Sequence, residues 1–211
     1  MIDLVIFDAD GVLFDSGESN TAYYNAIFAA MGEPPMTPEE EHAGVFMAAA
    51  EVLAMRAGTD PERMARLREI ARSIDFSPFF AMLRPPFELL PFMIELKRRY
   101  RVGLATNRSA TTRGLIDHLG LATIFDAVAS AHDNVRPKPA PDIVMLCLER
   151  AGIAAERSVY VGDSQIDYAA ATGAGTHFIG VGTRVESPIR VATLADVPAA
   201  VERLLANTRG L

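Results

Sequence analysis

The chain opens on a short apolar run, residues 2–7, with no polar alternation after Asp3. Such a run fits a strand buried on both faces of a parallel sheet, where the in-out alternation of side chains disappears. Comparable runs recur at 102–105, 127–129, 158–161 and 177–181. Between them, apolar residues fall at helical spacing near 88–99, 109–118, 140–151, 165–173 and 196–206. Strand and helix alternating in this way predict a doubly wound α/β fold with a parallel, Rossmann-like sheet.

Residues 16–86 break the alternation. They carry no strong strand signal and three helix patterns. Asp15-Ser16-Gly17-Glu18 reads as a capping box opening the first, with Tyr23, Ile27 and Ala30 on one face. Thr37-Pro38-Glu39-Glu40 starts a second, with proline at the first helical position and a stripe of Phe46, Ala49, Ala50, Leu53 and Ala57. Asp60-Pro61 begins a third, with Met64, Leu67, Ile70, Ala71 and Ile74 aligned. Arg84-Pro85-Pro86 reads as a stiff return linker. The expected organisation is an α/β core of residues 1–15 and 87–211 with an α-helical domain, 16–86, inserted after the first strand. Chain inserted there leaves from the carboxyl ends of the strands, where open α/β sheets bind ligands.

Composition narrows the class. Half of the 211 residues are hydrophobic and 22% are charged, which excludes disorder. A formal net charge of −7 argues against a nucleic-acid partner, which needs a basic surface. A local pocket can still take a small anion. Cys147 is the only cysteine, so no internal disulfide forms. The first eight residues hold two acids, unlike a secretory signal, and the longest weakly polar segment, 44–55, is broken by Glu51. The span needed for a bilayer is roughly 20 residues. A soluble, cytoplasmic protein without a membrane partner is expected. The oligomeric state is left open.

The candidate chemistry lies directly after the apolar runs. The first ends in Asp8-Ala9-Asp10-Gly11, the second in Thr106-Asn107, and the fourth in Gly162-Asp163-Ser164, with Asp167 four residues past Asp163. Lys138 stands between prolines in Arg136-Pro137-Lys138-Pro139-Ala140-Pro141. Several strands thus deliver polar groups to one edge of the sheet. Residues two apart in extended chain point to the same side, so Asp8 and Asp10 are expected to face one pocket. With Asp163 and Asp167 they would gather four acids. At about 4 Å and an effective dielectric of about 20, each like pair repels by about 4 kcal/mol, so a cation is expected among them. All-oxygen ligands call for a hard ion, and Mg2+ fits best. A carboxylate, a lysine, a threonine and Mg2+ together suit phosphoryl transfer, in which a carboxylate can serve as nucleophile.

These residues resemble the haloacid-dehalogenase-like hydrolase superfamily, and more closely its phosphoglycolate-phosphatase and β-phosphoglucomutase group with a helical cap. Its four motifs appear in order as Phe7-Asp8-Ala9-Asp10-Gly11-Val12-Leu13, Leu104-Ala105-Thr106-Asn107, Arg136-Pro137-Lys138-Pro139-Ala140-Pro141-Asp142 and Val161-Gly162-Asp163-Ser164-Gln165-Ile166-Asp167. The resemblance spans essentially the whole chain, although residues 16–86 match only in position and helical character. It implies that Asp8 attacks phosphorus and becomes an aspartyl-phosphate, and that Asp10 protonates the leaving oxygen and then activates water. It implies that Thr106, with the Asn107 region, holds phosphoryl oxygens and that Lys138 offsets negative charge. Magnesium would be bound by the Asp8 carboxylate, the Asp10 backbone carbonyl and Asp163, with Asp167 binding it or orienting it through water. A small phosphorylated metabolite such as phosphoglycolate would be the substrate. True haloacid dehalogenases lack the second aspartate, which Asp10 supplies here. The phosphonate hydrolases and the mutases of this group usually carry a cap lysine, and 16–86 has none.

The plainer readings are these. Asp15 and Ser16 cap a helix. Arg56, Arg63, Arg66, Arg68 and Arg72 form a wet helix face, and Arg108 is the better candidate for meeting a substrate anion. Cys147 and the methionines pack. The glycines of Gly180-Val181-Gly182-Thr183-Arg184 would let backbone approach a ligand. The rival functions are a β-phosphoglucomutase-like phosphomutase and a phospho-receiving module without turnover.

Overall fold

The computed structural model describes residues 1–44, 47, 49–108 and 110–208. It contains a six-stranded sheet in the order β3-β2-β1-β4-β5-β6. The strands are β1 (Leu4–Phe7), β2 (Arg101–Thr106), β3 (Ala127–Ser130), β4 (Ser158–Gly162), β5 (His177–Val181) and β6 (Arg190–Val191). Every neighbouring pair is parallel. The α/β class and the five apolar strands are as the hydrophobic pattern predicts. The sixth was not predicted, because two residues at a sheet edge are too short to carry a periodic signal.

Chain order and strand order together fix the place of the site. The chain steps outward from β1 through β2 to β3, then returns to the other side of β1 for β4. The carboxyl ends of β1, β2 and β4 therefore meet at the point where the winding reverses, and a crevice opens there. The register sets which residues reach it. Phe7 pairs with both Leu104 and Val161, so Asp8, Thr106 and Asp163 all lie one or two residues beyond the paired edge.

The chain separates into two compact units, Met1–Asp15 with Pro85–Leu211, and Ser16–Arg84. In the first, α8 (Asp142–Ala151) covers β2 and β3, while α9 (Gln165–Ala174) covers β4 and β5. Ile143, Val144, Cys147 and Leu148 of α8 and Ala170 and Ala171 of α9 pack with Leu4, Ile6 and Tyr160. Burial holds the Cys147 thiol up at about 12, so it packs as an apolar group. The unit is completed by α6 (Leu89–Lys97), α7 (Thr112–His118) and α10 (Val197–Thr208). Residue 109, placed at the start of the predicted 109–118 helix, lies outside the described residues.

Among the described residues the second unit has five helices where three were expected: α1 (Gly17–Ala30), α2 (Pro38–Gly44), α3 (Ala49–Ala57), α4 (Pro61–Ser73) and α5 (Ser77–Phe80). The expected second helix is two. Its proposed stripe fails at Ala49 and Ala50, which are exposed, while Val52, Leu53 and Ala57 are buried; Phe46 lies outside the described residues. The single turn α5 sits in an aromatic cluster with Tyr23, Phe76 and Phe79, too short for periodicity to reveal. In α1 the buried positions are Ser19, Tyr24, Ile27 and Phe28, and Ala30 is exposed. Ser16 takes the N-cap position of α1 without a side-chain cap hydrogen bond, and its hydroxyl accepts from Asn20 Nδ2 at 3.2 Å. The box at Thr37 and Glu40 does form, and Asp60 accepts from the backbone of Glu62 and Arg63. Arg56 and Arg63 are tied to Glu33 and Glu40. No helix among the described residues is long and apolar enough to cross a membrane.

Candidate active site

Asp8 follows the last residue of β1, and its backbone N–H still donates to Val161 at 2.9 Å. That bond fixes the acid at the sheet edge while its side chain enters the crevice. Lys138 reaches the same point from the loop before α8. Its ammonium lies 2.8 Å from Asp8 Oδ1 and 2.6 Å from Asp167 Oδ1, donates to Tyr160 Oη at 2.8 Å, and is 3.4 Å from the Ala105 carbonyl. The lysine side chain is only 2% exposed, so it is an interior cation held between two acids. Burial alone would lower its affinity for a proton, but the charges of Asp167 and Asp8 outweigh that and hold it above the ordinary lysine range. The loop that delivers it is fastened by Asn107, whose amide accepts from Lys138 N at 2.8 Å and donates to Lys138 O at 3.1 Å.

Asp163 and Asp167 come from the turn between β4 and α9. Ser164 is the N-cap of α9: its hydroxyl accepts from Asp167 N, and Asp167 Oδ2 accepts from Ser164 N and Ser164 Oγ at 3.2 and 2.5 Å. The spacing of the fourth motif is therefore that of a capping box, with Asp167 at the third helical position. Gly162 makes room for it, since a Cβ there would stand 2.5 Å from Asp167 Cβ. Asp8, Asp163 and Asp167 each offer a carboxylate oxygen within 4.8 Å of the others, and all three are buried. Burial pushes the Asp8 carboxyl up to about 8, with Lys138 opposing and Asp167 and Asp10 adding to the rise. Burial likewise lifts Asp163 to about 6 against the pull of Arg184.

This donor set fits a hard divalent cation. It is all oxygen, it concentrates negative charge, and the three carboxylates are buried together. Three of the four expected acids gather in this cluster, and for the fourth, Asp10, the resemblance implies the backbone carbonyl as the ligand. Asp10 does not place its carboxylate in the cluster, because β1 has ended and the chain turns at Gly11, where φ is +77°. Its two oxygens accept instead from Arg108 Nε and Nη2, each at 2.7 Å. Asp167 has both oxygens engaged by protein donors, Oδ1 by Lys138 and Oδ2 by Ser164.

Thr106 is buried at the end of β2 and accepts from Arg108 N through Oγ1 at 3.2 Å. Asn107, expected to hold a phosphoryl group, spends its amide on the backbone of Lys138. The sequence reading passed over Tyr160, Arg184 and the pairing of Arg108 with Asp10. Arg184 Nη2 binds Asp163 Oδ2 from the loop after β5. The two glycines noted in that loop signalled it, but nothing in a linear motif names its partner.

Comparison with known proteins places the chain among phosphatase-like relatives. Fructose-1-phosphate phosphatase YqaB of Escherichia coli (strain K12) is 29% identical over 187 residues, covering 84% of this chain and 95% of that protein. A phosphoglycolate phosphatase of Cereibacter sphaeroides (strain ATCC 17029 / ATH 2.4.9) is 32% identical over 183 residues, covering 82% of each. The crystal structure of CbbY from Rhodobacter sphaeroides in complex with phosphate superposes with a TM-score of 0.79 at 27% identity, covering 96% of this chain and all of that one. A β-phosphoglucomutase from Clostridium difficile shares the fold, at a TM-score of 0.79 and 17% identity over 98% of this chain and 100% of that one. The family model described as haloacid dehalogenase-like hydrolase matches residues 5–181, a span that takes in all four motifs, and the chain belongs to that family.

Proposed function

We propose that the protein is a magnesium-dependent phosphatase that hydrolyses a small phosphomonoester through an aspartyl-phosphate on Asp8. The observation that carries this reading is the buried Asp8 carboxylate, paired with the Lys138 ammonium at 2.8 Å and gathered with Asp163 and Asp167 in one all-oxygen cluster. Asp8 and Asp163 would hold the cation, with the Asp10 backbone carbonyl. When bound, that ion supplies positive charge that keeps Asp8 ionised and offsets charge on the phosphoryl oxygens.

The chain's own residues then divide the work. An Asp8 oxygen attacks phosphorus and the ester P–O bond breaks. Asp10 gives its proton to the departing oxygen. A water molecule then loses a proton to Asp10 and attacks phosphorus, and the bond to Asp8 breaks to release inorganic phosphate and restore both acids. Lys138 balances charge on Asp8 throughout, and the Thr106 hydroxyl donates to a phosphoryl oxygen. Little covalent chemistry is required beyond this, so positioning and charge carry the rate.

The substrate class follows from the relatives, which are named for phosphoglycolate and fructose 1-phosphate. A small hydroxy-acid or sugar phosphate is the expected ester, with phosphoglycolate first. We assign the helical segment 16–86 the role of cap and of selecting the leaving group. Its lack of lysine supports hydrolysis over phosphate migration. The test is phosphate release from a panel of phosphate esters with magnesium and with EDTA, on the wild type and on Asp8→Asn. Release with magnesium alone, lost in Asp8→Asn, supports the reading. Asp8→Asn retaining full turnover, with deamidation excluded by mass, removes it.

A further inference from the structure

Asp10 is the acid of this scheme, and its carboxylate is not left to find its own orientation. Arg108 Nε donates to Asp10 Oδ2 and Arg108 Nη2 to Asp10 Oδ1, both at 2.7 Å. This is the side-on fork of a guanidinium on a carboxylate, which fixes the plane of the acid as well as its distance. The arginine is itself restrained. Its backbone N–H donates to Thr106 Oγ1 at 3.2 Å, its carbonyl accepts from Ala131 N at 3.0 Å, and its guanidinium carbon stands 5.6 Å from the centroid of the Phe14 ring. Its side chain is 8% exposed against 32% for Asp10. The arginine is thus the anchored member of the pair and the aspartate the presented one.

Asp10 needs such a support. It lies three residues beyond β1, in a turn held by the Asp10–Phe14 bridge and by Gly11 N donating to Phe14 O at 2.8 Å. That hairpin fixes the backbone but not the side-chain torsions, which have several staggered wells. Phe14 therefore serves twice, closing the turn that carries Asp10 and lying beside the guanidinium that aims it. We infer that Arg108 is a positioning residue for Asp10, aligning its carboxylate with the leaving oxygen of the substrate. The inference rests on the proposed role of Asp10 and adds to it a group outside the four motifs. A lysine at 108 would not substitute, because a single ammonium carries charge without the planar fork.

Leaving-group chemistry separates this role from a structural one. An aryl ester such as p-nitrophenyl phosphate expels a stable anion and needs little protonation. An alkyl ester such as glycerol phosphate needs the acid. The wild type, Asp10→Asn, Arg108→Gln, Arg108→Lys and the double variant Asp10→Asn/Arg108→Gln are compared by kcat/KM on both esters with saturating magnesium. Asp10→Asn should lose the alkyl ester far more than the aryl one, by roughly 10²-fold or more, the usual contribution of a general acid. Arg108→Gln should show the same bias, with the alkyl ester down by about 10- to 100-fold and the aryl ester changed by less than about 3-fold, as a displaced catalytic group predicts. Arg108→Lys should remain biased, and the double variant should be no worse than Asp10→Asn alone. The aryl activity of each sample reports that the protein is folded. Equal losses on both esters in Arg108→Gln, or full recovery in Arg108→Lys, overturn the inference while leaving the Asp10 assignment intact. An unbiased Asp10→Asn overturns that assignment and the inference together.

Discussion

Replacing Lys138 by methionine removes the one cation that touches both Asp8 and Asp167 while keeping a similar volume. In the metal-free protein two buried carboxylates within 4.8 Å then face each other without the ammonium between them. At that spacing and an effective dielectric of about 20 the repulsion is about 3.5 kcal/mol. Breaking a buried ion pair from one side costs about 3–5 kcal/mol in comparable cases. The penalty must depend on pH, because the Asp8 carboxyl, raised by burial to about 8, can shed its charge. The sign follows from the linkage. Folded Asp8 binds its proton more tightly than unfolded Asp8, and more tightly still once the lowering charge of Lys138 is gone, so below about pH 8 both proteins keep that proton, while above it the wild type sheds it and the variant must hold it or carry the repulsion. The expected loss in EDTA is therefore about 3–5 kcal/mol at pH 9. At pH 6 it is smaller, because Asp8 then holds its proton and what is lost is the pairing with Asp167 and the hydrogen bonds to Tyr160 and Ala105. Tyr160 and Cys147 titrate above this window and Asp163 near its lower end in both proteins, so they cancel in the comparison to first order. Urea unfolding followed by far-UV circular dichroism suits a chain without tryptophan. With magnesium, turnover of Lys138→Met should fall on the order of 10²–10³-fold. A loss of stability that is the same at pH 6 and pH 9 would refute the ion-pair reasoning, as would none at pH 9.

Three other outcomes follow from the same geometry. Magnesium added to metal-free protein at pH 7 should release protons, because Asp8 near 8 and Asp163 near 6 must ionise to bind it; calorimetry in buffers of different ionisation heat measures the number, and affinity should rise from pH 6 to pH 8. The same raised values mean that metal-free stability declines as pH climbs from about 4 to about 8, and a melting series in EDTA that runs the other way contradicts them. Gly11→Ala should cost about 1–2 kcal/mol for its left-handed backbone, with φ at +77°, and its new methyl would strike the Asp163 carboxylate, so magnesium affinity should drop along with stability. Cys147, wholly buried with its thiol pushed up to about 12, should resist a disulfide reagent in the native protein and react once urea is added; prompt labelling of the native fold would contradict its packing.

How far the sequence could be read depended on the range of the interaction that decided each feature. Unbroken apolar runs marked β1, β2, β4 and β5 because a strand covered on both faces has no other composition available to it. Polar residues just past those runs marked the crevice, since register carries Asp8, Thr106 and Asp163 to a common edge. Short-range chemistry was legible when it had a fixed offset, as in the helix starts at Thr37 and Asp60. Ser16 takes the N-cap position of α1, but its hydroxyl accepts from Asn20. The same rule went unused at Ser164, where the serine and the acid three residues on form a capping box that explains the motif spacing. What stayed hidden was set by partners far apart in sequence. Asn107 bonds to Lys138, 31 residues away, and Arg108 to Asp10, 98 residues away. No periodicity or local pattern encodes such pairs; they appear only when the parallel order β2-β1-β4 has brought the loops together.

Those distant pairs change the electrostatics of the site. A reading from the motifs alone balances three ionised acids against one lysine and one divalent ion, and leaves the phosphoryl group a neutral environment. Arg108 and Arg184 add two positive charges that the motifs do not contain. With all four carboxylates ionised, as above about pH 8 and before Asp10 takes up a proton, they meet three cations, leaving one negative charge without the metal and one positive charge with it. The metal thus reverses the sign of the local charge. A phosphate dianion entering before the metal then meets net repulsion, and one entering afterwards meets attraction. The chain as a whole carries −7, so this local reversal, rather than the protein's overall field, is what draws an anion to Asp8. It follows that weakening Arg184 should lower the affinity for the phosphate ester more than it lowers the rate of the bound complex, because that arginine contributes charge to the crevice without touching Asp8. A rise in KM with kcat nearly unchanged in Arg184→Gln at saturating magnesium is the expected signature, and an unchanged KM with reduced kcat contradicts this account of the charge.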